Sequence, residues 1–224
     1  LYHKSIGGYH GAKLRRYQDL IERHLAPELQ QIIAEQNITP ENTRILSMLN
    51  TRYFLAGTAK EAVIRNPYAL GNAWFVERVE YVDGPDAEIE ALKKIDPATT
   101  AVIDRPRFGE VQTGRDSTAQ IELVDYLPGE LTYESQSGKG SLAVFSEVYY
   151  PEGWRATIDG EQAKILRVNY ILRALEVPPG EHTIKFSFEP QSFVVGDKIT
   201  FASIFVYLGL FAGVFVVLYR RKQP

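Results

Sequence analysis

The sequence predicts an α+β fold with three parts: an N-terminal helical and small α/β part, a C-terminal antiparallel β-sandwich, and one transmembrane helix. Apolar residues recur at helical spacing over 14–32, short strand patterns separated by turn residues fill 118–190, and no charged residue occurs in 199–219. We place the domain boundaries at 1–115, 116–196 and 197–224.

The first predicted element is a helix over residues 12–36. Its apolar residues step by three or four positions: Leu14, Tyr17, Ile21, Leu25, Leu29 and Ile32. Pro27 lies inside this helix and lacks a backbone donor, so we expect a kink or a break into two helices. Thr39-Pro40-Glu41 predicts the start of a further short helix that ends near Met48.

A strand–helix–strand unit is predicted next, after a short strand at 52–56. Residues 73–82 alternate as in a strand and end at Asp83-Gly84-Pro85. Residues 86–95 form a short amphipathic helix, and residues 100–103 form a second strand. This unit is the small α/β part.

From Thr118 onward the pattern contains only strands. They cover 119–127, 129–136, 141–150, 154–159, 162–169, 172–178 and 182–190. Turn residues separate them, among them Asp159-Gly160, which is typical of a two-residue hairpin turn. Short strands with turns every 8–12 residues predict an antiparallel sandwich.

Residues 199–219 predict a membrane anchor. At about 1.5 Å per residue, a helix of this length spans the roughly 30 Å hydrocarbon layer of a bilayer. Arg220, Arg221 and Lys222 follow directly, and the positive-inside rule places such a cluster in the cytoplasm. Residues 1–196 are therefore expected outside the cytoplasmic membrane.

Composition excludes several classes of function. Cysteine is absent, which excludes disulfides and thiolate chemistry. No dense run of basic residues occurs outside the C-terminal tail, which argues against nucleic-acid binding. His3, His10, His24 and His182 form no paired metal-binding spacing, so we expect neither a metal nor another cofactor. The chain begins at Leu1 without a signal-peptide pattern, and we expect it to be part of a longer protein.

The stretch Tyr149–Gln162 (YYPEGWRATIDGEQ) combines aromatic side chains with a carboxylate, as sugar sites do. Alternation places Trp154, Ala156 and Ile158 on one strand face, which favours Trp154 as a core residue over an exposed stacking surface. Asp159 is interpreted as a turn residue and His182 as a strand-edge residue. Tyr149, Tyr150 and Arg155 remain as candidate substrate-binding residues, and no catalytic residue is assigned.

The C-terminal half resembles the YfhO family of bacterial multi-spanning membrane proteins. The resemblance lies in a Tyr-Pro-x-Gly-Trp segment, an Asp-Gly turn, an Asn-x-x-x-Arg-Ala segment, a Pro-x-Gly-x-His turn and a Phe-x-Pro end. These residues are Tyr150, Pro151, Gly153, Trp154, Asp159, Gly160, Asn169, Arg173, Ala174, Pro179, Gly180, His182, Phe188 and Pro190. The segments SIGGYHGAKLRRYQDLI and ILSMLNTRYFLAG are similar to the family as well.

The resemblance implies that further membrane helices precede this segment in an inner-membrane protein. It also implies a GT-C-like glycosyltransferase that uses lipid-phosphate-linked sugars and has its catalytic acid in an earlier loop, outside this sequence. The expected role is to support sugar transfer to a cell-envelope glycan, with the bilayer, the upstream helices and a lipid-linked sugar or envelope glycan as partners. A non-catalytic, membrane-anchored glycan-binding or structural domain is the alternative.

Overall fold

The computed structural model describes residues 5–7, 13–55, 62–114 and 116–221, and its helices and mainly antiparallel sheets confirm the α+β class. The helices are α1 (Arg15–Leu20), α2 (Ala26–Glu35), α3 (Arg44–Met48), α4 (Pro85–Ala91), α5 (Arg105–Phe108) and α6 (Gln191–Arg221). The strands are β1 (Tyr53–Leu55), β2 (Val63–Arg65), β3 (Ala73–Val76), β4 (Arg78–Val82), β5 (Thr100–Asp104), β6 (Gln120–Leu127), β7 (Glu130–Ser137), β8 (Ser141–Val148), β9 (Trp154–Ile158), β10 (Glu161–Ala163), β11 (Leu166–Val168), β12 (Leu172–Val177) and β13 (Gly180–Phe188).

The N-terminal helix changes from α to π and back just before Pro27, without the predicted break into two separate helices. A π-helical segment, Ile21–Leu25, joins α1 to α2, and Pro27 lies in the first turn of α2. The missing proline N–H removes one bond of the regular helical ladder, and the wider π turn accommodates this change without a break in the chain direction at Ala26.

Two antiparallel sheets dominate the C-terminal half. The five-stranded sheet has the order β10-β9-β13-β7-β6, and the four-stranded sheet has the order β11-β12-β8-β3. The predicted strand at 162–169 is divided, because β10 pairs with β9 in one sheet while β11 pairs with β12 in the other. Residues 164–165 therefore cross between the sheets.

The predicted strand–helix–strand unit is confirmed in β4, α4 and β5, where β4 and β5 pair in parallel. The predicted strand at 73–82 is divided at Glu77. Its first half, β3, pairs with β8, whereas the N–H groups of Glu77 and Arg78 donate to the Thr99 carbonyl and redirect the chain towards β5. Sequence alternation is the same on both sides of this division, so it gave no sign of the change of sheet.

Two hydrophobic clusters form the core. One cluster joins α1, α3, α4 and β5 to β8, β11 and β12, and it includes Leu20, Leu46, Ile103 and Leu172. The other contains side chains from both large sheets, among them Tyr133, Phe145 and Phe186, whose rings meet edge to face. The N-terminal and C-terminal parts thus share buried contacts, while the domain boundary near residue 115 and a face-to-face sandwich remain predictions.

The last helix, α6, follows β13 after two residues and is continuous from Gln191 to Arg221. Among the residues that the structure describes, no helix is long and apolar enough to cross a membrane. Residues 222–224 of the predicted basic tail lie outside the described residues.

Candidate functional site

A pocket of about 210 Å³ lies where β8 leaves the four-stranded sheet and β9 enters the five-stranded one. All three predicted binding residues, Tyr149, Tyr150 and Arg155, line it. The complete lining is Tyr149, Tyr150, Pro151, Trp154, Arg155, Ala156, Gln162, Ala163, Lys164 and Ile165. We call it the Tyr150 pocket.

Gly153 holds the turn before β9 against the end of β13. It has a φ of +80°, and a Cβ at this position would approach the Phe188 ring to 2.8 Å. The Glu189 N–H also donates to the Gly153 carbonyl at 2.6 Å. Only glycine combines this backbone conformation with this close approach, and the turn consequently fixes where Tyr150 and Trp154 lie.

Trp154 both packs on the core and lines the pocket. Its half-buried ring contacts Phe188, with the ring centres 5.2 Å apart, and the Arg173 guanidinium lies 3.8 Å from the indole centroid. Arg173 is buried, its Nε donates to the Val148 carbonyl at 3.0 Å, and burial lowers its pKa. The core contact predicted for Trp154 is confirmed, but part of the ring still faces the pocket.

The three predicted residues differ in how free they are to contact a ligand. Tyr149 is half-buried, packs edge to face on Phe108 and belongs to the edge of the first core cluster. Tyr150 is 42% exposed. Arg155 is also exposed, and its only ion pair among the described residues is a 3.4 Å contact with Glu189 at the surface. Tyr150 and Arg155 are therefore the accessible pair.

The lining combines aromatic faces with hydrogen-bond donors. Arg155 and Lys164 supply two cations and Gln162 supplies an amide, while no acid or histidine occurs among the lining residues. Acid–base hydrolysis of a glycosidic bond needs two carboxyl groups in the site. This arrangement is suited to binding a polar ligand with flat faces.

Asp159 lies outside this pocket and forms the predicted hairpin turn. Asp159 and Gly160 have φ values of 53° and 87°, and Ile158 pairs with Glu161, as in a two-residue turn of the primed type. The carboxylate accepts the Thr183 N–H at 2.8 Å and lies 2.6 Å from Nδ1 of His182. The turn role of Asp159 and the strand position of His182 are confirmed.

A buried ionic cluster that no local sequence pattern indicates joins the N-terminal and C-terminal parts. The Arg167 guanidinium lies 2.7 Å from Glu88 and 3.6 Å from Asp104, and both Arg167 and Glu88 are almost fully buried. Glu88 also accepts the Tyr170 N–H at 3.0 Å. Burial raises the pKa of Glu88, against the opposing effect of its bond to Arg167. The cluster joins α4 to β11, which is a structural function.

Two further observations bear on the choice of site. A larger pocket of about 330 Å³ lies beside α3 and the 96–98 turn, with Glu41, Arg44, Tyr68 and Asp96 in its lining, and it contains none of the predicted residues. Within the described ranges, no group of three or more histidine or acidic side chains is placed to hold a metal ion.

The comparison with known families supports a membrane-protein class. Residues 113–200 match the family described as bacterial membrane protein YfhO, so the resemblance seen in the sequence is confirmed over this segment. The matched segment includes β6 to β13 and the Tyr150 pocket. No curated protein and no solved structure is significantly similar to the chain.

Proposed function

We propose that residues 1–196 form an extracytoplasmic, glycan-binding portion of a multi-spanning bacterial membrane protein. The whole protein would transfer sugars from a lipid-phosphate carrier to a cell-envelope glycan, and this portion would hold the glycan beside the membrane. The observation that carries the proposal is the Tyr150 pocket, together with the family match over the strands that build it.

The chemistry of the pocket suits a saccharide. Ligand sites usually combine apolar or aromatic walls with a few fixed polar groups. Here the Tyr150 and Trp154 rings offer surfaces for the apolar face of a sugar ring, while Arg155, Gln162 and Lys164 offer donors for its hydroxyl oxygens. The two cations favour a glycan that also carries acidic groups.

The sequence of α6 supports a membrane anchor at residues 199–219. The hydroxyl groups of Thr200 and Ser203 donate to the carbonyls of Gly196 and Ile199, one helical turn earlier, at 2.9 and 2.7 Å. Hydroxyl groups bonded to their own helix in this way are compatible with a lipid environment, because neither of these two groups is left unpaired. The basic residues that follow favour a cytoplasmic C-terminus.

Binding should be tested on the full chain in detergent micelles, with chitohexaose and an oligogalacturonate as probes. Tyr150→Ala and Arg155→Ala should each weaken binding, most strongly for the acidic probe with Arg155→Ala. Tyr126→Ala is the control for Tyr150→Ala, because Tyr126 is similarly exposed but lies outside the pocket. Lys185→Ala is the control for Arg155→Ala, because it removes a comparable surface ion pair, with Glu130. Binding that is unchanged in both pocket variants would overturn the glycan role.

The membrane topology has a separate test. A reporter that is active only in the cytoplasm should be active when fused after Pro224 and inactive when inserted at Lys139, in the exposed β7–β8 turn. The opposite pattern would refute the orientation.

A purely structural domain is the second candidate, because Arg173 stacks on Trp154 and fixes much of the pocket wall. It predicts that pocket variants change stability or assembly with the upstream helices, while glycan binding is absent in the wild type.

A further inference from the structure

We propose that the two strands of the β1–β2 hairpin, Tyr53–Leu55 and Val63–Arg65, insert their shared outer face into the head-group region of the bilayer on the side where the domain lies. The hairpin would be a second membrane contact besides α6. This inference rests on the proposed membrane anchor, and it assigns a function to a surface that the glycan pocket does not use.

The hairpin exposes an apolar face. Its register places Tyr53 opposite Arg65 and Leu55 opposite Val63, and side chains of paired residues lie on the same face of an antiparallel ribbon. Tyr53, Leu55 and Val63 are 59%, 72% and 45% exposed. Phe54 lies on the opposite face and packs against the first core cluster. Ile64, the partner of Phe54, is 44% exposed, so the body of the protein covers this inner face only at Phe54. The outer apolar face has no partner among the described residues.

The base of the hairpin is held firmly. The backbone N–H of Asn66 donates to the Arg52 carbonyl at 2.8 Å, and its buried side-chain amide donates to Thr51 and Ser47 at 2.8 and 3.1 Å. These bonds fix the ribbon relative to α3. Because the ribbon is held rigidly at its base, its outer face has a defined orientation, as expected of a contact surface.

The base also lies at the end of the sheets from which α6 departs. Ser146 near the end of β8 donates to the carbonyls of Met48 and Gly71, beside the hairpin base, at 3.0 and 2.7 Å. Two residues further along β8, the Val148 carbonyl accepts from Arg173, which stacks on Trp154. Trp154 pairs with Phe188, the last residue of β13, and α6 begins three residues later.

Other exposed apolar groups cluster at the same end. Phe188 and Leu127 are 42% and 49% exposed, and the Phe188 N–H donates to Gly129 in the β6–β7 turn that follows Leu127. A domain tethered by a membrane helix brings this end closest to the lipid. Exposed apolar groups there therefore meet the bilayer rather than bulk water.

The residue types and the small size of the face favour lipid over a protein partner. Tyr53 lies beside the exposed Arg52 and Arg65, and tyrosine and arginine are suited to the membrane–water interface. Three partly exposed side chains bury far less than the roughly 1,200–2,000 Å² of a stable protein interface. Shallow insertion needs no such area, because the anchor already confines the domain to the membrane surface.

The absence of cysteine from the chain allows single-site labelling. Leu55→Cys, Lys139→Cys and Leu210→Cys would each carry an NBD fluorophore in the full chain, reconstituted into vesicles of phosphatidylethanolamine and phosphatidylglycerol. Some vesicles would contain shallow doxyl-labelled lipid as quencher. Lys139 is exposed in the β7–β8 turn, at the opposite end of the sheets from Phe188, and Leu210 reports on α6. Val63→Cys repeats the hairpin measurement at the neighbouring strand.

The proposal expects blue-shifted emission and doxyl quenching at Leu55→Cys and Val63→Cys, and aqueous, unquenched emission at Lys139→Cys. Aqueous hairpin labels with a blue-shifted Leu210→Cys label would overturn the hairpin contact and leave the anchor standing. Aqueous emission at all positions would overturn the anchor as well. Blue-shifted hairpin labels without lipid quenching would show burial against protein, which also overturns the lipid contact.

Discussion

His182 on β13 and Asp159 in the β9–β10 turn form a hydrogen-bonded pair, with Nδ1 of the imidazole 2.6 Å from the carboxylate. Nε2 of the same ring lies 3.3 Å from the Pro179 carbonyl. Both ring nitrogens face acceptors, an arrangement that only the doubly protonated imidazolium satisfies fully. The bond to Asp159 is the main reason that the pKa of His182 is raised, and it also holds the pKa of Asp159 low.

This pair predicts a pH-dependent contribution to stability. A raised His182 pKa means that the contribution is complete below the unfolded value of about 6.5 and is lost as pH rises through the folded value. Asp159→Asn removes the charge and retains a residue that favours the same turn. Urea unfolding of the full chain gives the free energy of unfolding of the wild type and of Asp159→Asn. The difference in favour of the wild type should be larger at pH 5.5 than at pH 9. An equal difference at both pH values would contradict the pairing.

The buried Arg167–Glu88 pair predicts a large loss when one partner is removed. Glu88→Gln leaves a buried guanidinium without its closest carboxylate, and broken buried pairs typically cost about 3–5 kcal/mol. The double variant Arg167→Met/Glu88→Met should recover part of that loss, because it removes both charges of the closest pair but leaves the buried Asp104 without Arg167. Glu90→Gln breaks the exposed pair with Lys93 and should cost at most about 1 kcal/mol. Urea unfolding measures all three, and equal losses for Glu88→Gln and Glu90→Gln would contradict the prediction.

Glu28 predicts a loss of stability with rising pH, as His182 does, but over a lower pH range. Its carboxylate accepts the Ile45 and Leu46 N–H groups at the start of α3, at 2.7 and 2.9 Å, yet burial raises the pKa of Glu28 to about 7. The folded state then retains its proton longer than the unfolded state, so the wild type loses stability as pH rises from about 4.5 to 7.

The neutral variant Glu28→Gln isolates this effect. The amide has one acceptor oxygen, so the variant loses one of the two hydrogen bonds to the start of α3 at every pH. Relative to the wild type, its free energy of unfolding should nevertheless rise by up to about 3 kcal/mol between pH 4.5 and 8. Glu22→Gln, an exposed acid in the preceding π-helical segment, is the control. A wild-type-minus-variant difference that stays constant over this range would show that Glu28 ionises at its ordinary pKa when folded.

Local chemistry made most of the elements predictable. The strands from β6 to β13 follow alternation and turn residues, and the hairpin at Asp159-Gly160 needs positive φ at both positions. The exchange of strands between sheets did not follow from local pattern. The redirection at Glu77 depends on the Thr99 carbonyl, and the Arg167–Glu88 pair joins residues 79 positions apart, so neither leaves a periodic signal.

The candidate site was predictable in part for the same reason. Tyr149, Tyr150 and Arg155 lie in one short stretch and reach one pocket. Gln162 and Lys164 were missed, although the two-residue turn places Gln162 opposite Thr157 and so returns β10 to the Arg155 region. The Arg173 stack on Trp154 needed the pairing of β12 with β8, which no local pattern specifies.

Trp154 allows core packing and ligand contact to be separated by substitution. Trp154→Ala removes the ring that packs on Phe188 and covers the buried Arg173, so we expect a loss of about 3 kcal/mol, the lower end of the range for a buried aromatic side chain because the indole is only half-buried. Trp154→Phe retains a ring under the guanidinium and should lose clearly less. Tyr150→Ala, at an exposed position, should change stability by no more than about 0.5 kcal/mol.

Urea unfolding measures these three stabilities, and chitohexaose titration of the same samples measures binding. Trp154→Phe should weaken binding while the fold is largely preserved, because a smaller ring offers less surface to a sugar. Tyr150→Ala should weaken binding with no loss of stability. Full wild-type stability of Trp154→Ala would contradict the core contact, since it would mean that Arg173 and Phe188 need no indole beside them. If Trp154→Phe binds as well as the wild type, the indole is not part of the proposed contact surface, and Tyr150 is the aromatic side chain that contacts the sugar.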